Sequence, residues 1–280
     1  MTIAMRIKKY LAWAVVNIPI LALSLSCIYP VIWLLYSSLK TDQEFAVSPV
    51  ALPKILHFGN YITAFARAKF SVFFFNSLLN SIASLLLVLV ISFVMGYLLS
   101  RYRFPGRNLI YMILMAGIMI PVYALIVPIF IQFKNIGLLN NRFTLVPIYV
   151  AFELPTAIFL IDGYLKGISV DLEEAATIDG AGMPRVMFSI MLPVCRPIMM
   201  TVVILTFMHV WNEFPFAQVM INKEALKTIP IGLTYFTSQY MTQYTLLLAA
   251  LAMATIPVLT IYLFFYNKIM EGMMAGAIKG

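Results

Sequence analysis

Four long stretches of this chain contain no charged residue, and they constrain its fold more than any other feature. They are Tyr10–Leu39, Phe70–Ser100, Asn108–Phe133 and Thr228–Asn267. A helix needs about 20 apolar residues to cross the hydrocarbon core of a bilayer, so each stretch is long enough. The chain is 62% hydrophobic and 11% charged, whereas a soluble domain is about 45–50% apolar and about 25% charged. We therefore expect lipid to surround most of the folded protein.

Two further segments are predicted to cross the membrane although both carry acidic residues. Residues 144–165 contain Glu153 and Asp162, and residues 198–222 contain Glu213. The expected fold class is all-α, a polytopic membrane protein with a single transmembrane domain over residues 1-280. The basic N-terminus resembles that of a signal peptide, but the apolar run that follows exceeds the usual length of about 7–15 residues, so we expect it to be kept as a span. The six predicted spans are about 11-36, 76-100, 108-131, 144-165, 198-222 and 244-267.

The distribution of basic residues predicts the orientation of these spans. With six spans, both termini lie on the same side of the membrane. That side receives 11 of the 19 Lys and Arg residues, and cytoplasmic loops carry the excess of positive charge. Both termini are therefore expected in the cytoplasm, together with the long loop 166-197.

The net charge of +8 does not indicate nucleic-acid binding, because no basic stripe with interleaved aromatic residues is present. Basic residues beside membrane spans anchor and orient them, and that accounts for the charge. The cysteines Cys27 and Cys195 and the histidines His57 and His209 are each isolated in the sequence. We therefore expect no metal site, no disulfide and no catalytic residues.

The stretch Glu173–Gly182, EEAATIDGAG, is acidic and built of small residues in an otherwise apolar chain. We expect a helix that Asp171 caps with its side chain, with Glu174 as the reciprocal partner. The loop 166-197 is then predicted to form a helix–turn–helix outside the bilayer. Helices that lie on a membrane surface favour basic and bulky apolar residues, so this acidic surface is expected to bind a protein.

The spacing of residues in this loop reproduces a known motif. Glu174-Ala175-Ala176, then Gly180, then Ile190, Leu192 and Pro193 match the EAA motif, EAA-x3-G-x9-I-x-LP. The chain thereby resembles the membrane subunits of bacterial ABC importers. Other segments are similar to the carbohydrate-uptake branch, and in particular to the second maltose-transporter membrane subunit. They are NSLLNS at 76–81, GYLLSRYRFPG at 96–106, PVYALIVPIFIQFKNIGLLNN at 121–141, WNEF at 211–214 and GMMAGAIKG at 272–280.

This resemblance implies a type I ABC importer transmembrane domain in the bacterial inner membrane, forming half of a translocation pathway. It also implies a second homologous permease subunit, two copies of a cytoplasmic ATPase and an extracytoplasmic solute-binding protein. The chain has no G-x-x-x-x-G-K-[ST] phosphate loop, so it is not expected to be an enzyme or to hold a cofactor; ATP and Mg would be bound by the ATPase. The loop would be the coupling helix that docks on that ATPase. The residues expected to take part in coupling are Glu173, Glu174, Ala175, Ala176, Asp179, Gly180, Ile190, Leu192 and Pro193.

Acidic residues inside the predicted spans are candidates for the substrate pathway, because ionisable side chains are costly in a membrane. Asp162 is expected to pair with Lys166 four residues later. Glu153 and Glu213 are predicted at a similar depth, about 13 Å from the outer ends of their spans. Bonding of these carboxylates to the partner subunit or to a helix backbone remains an alternative. The predicted pathway residues are Glu153, Trp211, Asn212, Glu213 and Phe214.

Asn76, Asn80 and Ser84 form a polar stripe on the second span, with Ser77 and Ser81 beside it. Small polar residues on one face suit helix packing in lipid. Lining of a pore is the alternative.

Three other functions remain possible on the sequence alone. An ABC permease for a non-sugar solute, such as a polyamine, would use the two carboxylates to bind a cation. An ion-coupled secondary transporter would use them as proton sites, but it would leave the acidic loop without a role. A membrane scaffold would leave the proline-kinked spans unexplained.

Overall fold

The structure of the protein is a computed structural model that describes residues 3–237 and 242–277. The last three residues of the GMMAGAIKG tail lie outside the described residues. Within the described part the secondary structure is helical, apart from a single bridge between Thr237 and Thr242. The α-helices, in chain order, are α1 (Ile3–Ser37), α2 (Asp42–Val47), α3 (Gly59–Arg67), α4 (Phe70–Arg101), α5 (Arg107–Met119), α6 (Ile126–Asn135), α7 (Leu145–Leu165), α8 (Asp171–Ile178), α9 (Met183–Arg185), α10 (Leu192–Val194), α11 (Arg196–Asn212), α12 (Pro215–Met220), α13 (Ile229–Leu233) and α14 (Tyr244–Ala277).

Four helical segments are long and apolar enough to cross a membrane by themselves: Trp13–Ser37, Phe70–Arg101, Leu145–Leu165 and Tyr244–Phe264. Two bent pairs of helices each add one more span if the pair is counted as a unit. Arg107–Met119 and Val122–Asn135 meet at 96°, and Met183–Val194 and Arg196–Asn212 meet at 74°. The described residues thus provide up to six spans. The predicted all-α class of polytopic membrane protein is confirmed.

The breaks in two of the predicted spans fall where proline interrupts the backbone. The predicted span 108-131 is divided after Met119, and Pro121 begins the next turn. In the predicted span 198-222 the helix ends at Asn212, and a short helix starts at Pro215. Proline has no N–H to donate and disfavours helical geometry in the residue before it, so an apolar run need not be one helix.

The described residues divide into two compact units, one within residues 1–68 and 233–255 and the other within residues 69–232 and 256–280. In the first unit, α3 packs against the start of α14 through small side chains, among them Ala64, Ala249 and Ala250. Lys40 is fully buried, and its ammonium donates to the carbonyls of Ser48 and Pro49 at 3.0 and 2.9 Å. Burial lowers the pKa of the Lys40 side chain.

In the second unit, α4 and α7 form the centre of the core. A Cβ atom built on Gly96 would lie 2.8 Å from Cγ2 of Ile161, so the absence of a side chain permits this close approach. Ile161 is itself fully buried. The predicted pair at the end of α7 is confirmed: Nζ of Lys166, which follows the helix, lies 2.6 Å from Oδ2 of Asp162.

The polar stripe on α4 is buried and serves packing at its first turns. Asn76 donates to the carbonyls of Ala225 and Lys227, and the Ser77 hydroxyl accepts from the Ile229 N–H at 2.9 Å. These bonds hold the segment before α13 against α4. For Asn76 and Ser77 the packing alternative is therefore confirmed.

Candidate functional site

The helix α8 carries the acidic stretch, and its start differs from the prediction. The capping position is Val170, which has helical backbone angles and no side-chain cap bond. A side-chain cap requires extended backbone at that position, so the prediction that Asp171 caps the helix is wrong. Asp171 is instead the first residue of α8. Three acids still lie in the first turn, where they interact favourably with the helix dipole.

The end of α8 requires a glycine. Gly180 has φ of +83°, its N–H bonds to Thr177 O, and the Ala181 N–H bonds to Ala176 O. These two bonds and the left-handed residue form a Schellman motif. The helix therefore ends after about two turns, and its exposed surface is short.

The two adjacent glutamates of α8 have opposite environments. Glu173 is turned into the protein: its Oε2 accepts from the Tyr97 hydroxyl at 2.6 Å, and its Oε1 accepts from Arg101 Nε at 2.5 Å. Arg101 also donates to the Ile168 carbonyl at 3.0 Å. Glu174 and Ala175 are exposed. Glu173 is therefore the one acid of the first turn that is turned inward, whereas Asp171 and Glu174 belong to the exposed surface of α8.

The rest of the coupling residues divide between surface and core. Asp179 and Gly180 are exposed, and Ala176 is half-buried against the core of the second unit. Ile190 and Leu192 also pack on that core, at the end of a π-helical turn over Val186–Met191. Pro193 is exposed. The motif thus supplies both an outward surface and the packing that supports it.

A cavity of about 520 Å³ lies within the second unit, between the bent pair at Pro121, α7, α11 and α12. Three of the five predicted pathway residues line it: Glu153, Asn212 and Glu213. Trp211 is 3% exposed and stacks on Phe207 instead, and Phe214 packs on the core beside α12. The remaining lining residues are Gly117, Ile118, Val122, Tyr123, Tyr149, Phe152, Thr156, Met208, His209, Val210 and Phe216.

Glu213 holds the broken helix together at the edge of this cavity. Its carboxylate accepts from the N–H groups of Phe216 and Ala217 at 2.7 and 3.1 Å, and from the Tyr149 hydroxyl at 2.7 Å. It thereby caps α12 and ties α12 to α7. The sequence left open whether this carboxylate bonds to a helix backbone, and the structure shows that it does.

Glu153 has a more open environment. Its two carboxylate oxygens lie 3.2 and 3.3 Å from Nδ1 of His209. The His209 side chain is 63% exposed and that of Glu153 15%. This pair presents polar atoms to the cavity, next to the aromatic side chains of Tyr123 and Phe152.

Sequence reasoning gave His209 little weight and missed most of the aromatic lining. A periodic signal was available: Tyr149, Glu153 and Thr156 are spaced four and three residues apart on α7, and His209 and Asn212 are three apart on α11. Residues at this spacing share one helix face. Because Glu153 and Asn212 were predicted to line the pathway, the same could have been inferred for Tyr149, Thr156 and His209.

Comparison with known proteins places these features in a family. Residues 88–270 match the family model described as binding-protein-dependent transport system inner membrane component. The chain is 36% identical to the diacetylchitobiose uptake system permease protein NgcG of Streptomyces coelicolor, over 91% of this chain and 85% of that protein. It is 35% identical to AmyC of Thermoanaerobacterium thermosulfurigenes, a probable starch degradation products transport system permease protein, over 92% and 94% of the two chains.

The fold also matches a solved structure. A chain of a bacterial ABC transporter involved in the import of the acidic polysaccharide alginate superimposes with a TM-score of 0.79 and 22% identity, over 96% of this chain and 99% of that one. The predicted fold of an ABC importer transmembrane domain is confirmed. The chain belongs to the binding-protein-dependent transport system inner membrane component family.

Proposed function

We propose that this chain is the transmembrane permease subunit of an ATP-driven importer for a sugar or oligosaccharide. The observation that carries the proposal is the shape of α8, a short helix with an exposed, acidic, small-residue surface. Alanine and glycine let a partner backbone approach closely, and Glu174 offers a charge to a basic side chain. Relatives in uptake systems for diacetylchitobiose and for starch degradation products support a carbohydrate cargo.

The partner that fits this surface is a cytoplasmic ATPase, present in two copies and holding ATP and Mg. The sequence contains no phosphate-loop motif, and we assign ATP hydrolysis to this separate subunit. A second homologous permease subunit would complete the pathway, and an extracytoplasmic binding protein would deliver the sugar. Both termini and α8 would then lie in the cytoplasm.

The cavity beside Glu153 and His209 is proposed as this chain's part of the sugar pathway. Aromatic faces and polar side chains together suit sugar rings and hydroxyl groups. The Glu213 carboxylate already accepts three hydrogen bonds and Glu153 is paired with His209, so neither carboxylate is left free to bind a polyamine. The family favours the importer over an ion-coupled secondary transporter.

Reversing the charge of Glu174 tests this function. We expect Glu174→Arg to reach the membrane in wild-type amount, but its rate of uptake should fall about tenfold or more. A tenfold loss corresponds to about 1.4 kcal/mol. Radiolabelled diacetylchitobiose, maltotriose and arabinotriose are first offered to wild-type cells. The sugar that these cells accumulate is then used to measure uptake by the variant.

Glu224→Arg is the matched control. Glu224 forms an exposed pair with Lys69, and such surface pairs contribute only about 0–1 kcal/mol. Normal uptake by Glu174→Arg would contradict the assignment of α8. Uptake of none of the three sugars by wild-type cells would count against the carbohydrate cargo.

A further inference from the structure

We propose that the buried contact of Glu173 with Tyr97 and Arg101 is the mechanical link through which α8 moves α4 and α7 as one body. Glu173 is then a positioning residue for energy coupling, distinct in role from Glu174 beside it. The inference rests on the proposed docking of an ATPase on α8.

The contact joins three segments at one point. Arg101 is the last residue of α4, Ile168 lies in the connection after α7, and Glu173 lies on α8. The side chains of Arg101 and Glu173 are only 9% and 13% exposed. Hydrogen bonds between charged groups are stronger and geometrically stricter than neutral ones. A displacement of α8 is therefore passed to α4 unless these bonds break.

Breaking the link is costly, because removal of one partner leaves a buried charge without compensation. On α8 itself Ala176 contributes only a methyl group to the core, and Ala181, which follows the helix, contributes another. The orientation of α8 relative to α4 thus depends mainly on Glu173.

The link continues into the core through close packing. Tyr97 is 1% exposed and stacks on Phe93 of the same helix. One residue earlier, Gly96 brings α4 against Ile161 of α7. Two helices packed at this distance cannot slide without a clash, since interiors are close-packed.

The helix α7 then reaches the cavity. Glu153 lies eight residues before Ile161 on the same helix, a distance of about 12 Å at 1.5 Å per residue. Thr156, also on α7, lines the cavity. Movement of α8 would therefore displace the cavity wall that carries Glu153.

The experiment measures this displacement without any sugar. In a Cys27→Ser background, the labelling rate of Thr156→Cys by a small maleimide is compared in the purified complex with and without MgATP and vanadate. We expect ATP to change the rate in the otherwise wild-type complex. With Glu173→Ala the ATPase should still co-purify, but the ATP-induced change in labelling rate should be smaller by at least about fivefold. Fivefold is about the low end of typical coupling between two sites.

Four further variants distinguish a link from a general loss of structure. Glu173→Gln keeps one acceptor oxygen and should retain part of the response. Arg101→Ala should lose as much as Glu173→Ala, and the double variant should lose no more, because residues in one network are not additive. Arg103→Ala, an exposed arginine two residues beyond Arg101, should leave the response unchanged.

Other outcomes of these measurements would overturn either the proposed link or the proposed function. A normal response in Glu173→Ala, or additive losses in the double variant, would overturn the link. Loss of the ATPase from both Glu173→Ala and Glu173→Gln would place Glu173 in the docking surface instead. If the complex without any Glu173 substitution retained no ATPase, the proposed function itself would fail.

Discussion

At the scale of single residues, the acidic stretch divides its side chains between two tasks. Glu173 is bonded to Tyr97 and Arg101, whereas Glu174 is exposed. Successive helical residues point about 100° apart, so neighbours in sequence face different surroundings. Gly180 has a third role, because its positive φ ends the helix and sets the extent of the exposed surface.

Substitution of Gly180 tests that backbone role. Gly180→Ala places a side chain in the left-handed region, at a cost of about 1–2 kcal/mol, so hydrogen–deuterium exchange over residues 171–182 should become faster. Gly180→Asn should change exchange less, since asparagine tolerates this region better.

Gly182→Ala is the matched control for both variants, because Gly182 has φ of −70° and a Cβ there would meet only Cδ of Pro184, at 4.0 Å. Equal exchange in Gly180→Ala and Gly182→Ala would show that the left-handed turn does not control α8.

At the scale of helices, proline and glycine set the architecture of the second unit. Pro121 and Pro215 stand at breaks in apolar segments, and the cavity lies beside both breaks. Gly96 permits the close contact between α4 and α7. The cavity beside these breaks gives polar side chains such as Glu153 an open space within a hydrophobic unit. The close contact with α4 holds α7, the helix that carries Glu153, in place.

The α4–α7 contact predicts a difference between two glycines. Gly96→Ala puts a methyl group 2.8 Å from Cγ2 of Ile161, and such overpacking costs about 1–3 kcal/mol. Gly163→Ala, on α7 itself, has nothing within 4 Å of its Cβ and should be neutral or slightly stabilising. Thermal unfolding of the detergent-solubilised protein should show a lower Tm for Gly96→Ala alone. Equal Tm values would mean that α4 and α7 adjust without strain.

At the scale of the whole molecule, the distribution of basic residues predicts which surface meets the cytoplasm. In the predicted topology, the side that would hold the termini and α8 carries the larger share of Lys and Arg, which is typical of a cytoplasmic face. This orientation is required if α8 is to reach an ATPase. The loop that contains α2 and α3 would then face the binding protein.

Two positions of matched exposure test the orientation. Val47 is 87% exposed and Ile178 is 86% exposed. In intact cells of a Cys27→Ser background, a membrane-impermeant maleimide should label Val47→Cys but not Ile178→Cys. After permeabilisation and removal of peripheral subunits with alkali, both should be labelled alike. The reverse pattern in intact cells would invert the topology.

Much of the fold could be predicted from the sequence. Apolar runs, charge placement and motif spacing gave the fold class, the family and the site of α8, because each depends on neighbouring residues and on the solvent. The helix breaks were only partly predicted, since prolines within spans signal a kink without its angle. The capping of α8 was predicted incorrectly, because the backbone at Val170 remains helical.

The sequence by itself determined that this chain is a membrane protein with an exposed acidic helix, because hydrophobicity and local spacing are properties of short segments. Only the tertiary structure decided which acids serve which purpose. Tyr97 and Glu173 are 76 residues apart, and Glu153 and His209 are 56 apart. Whether a carboxylate is paired, caps a helix or faces a cavity depends on which helices pack together, and that packing is set by contacts between residues distant in the chain.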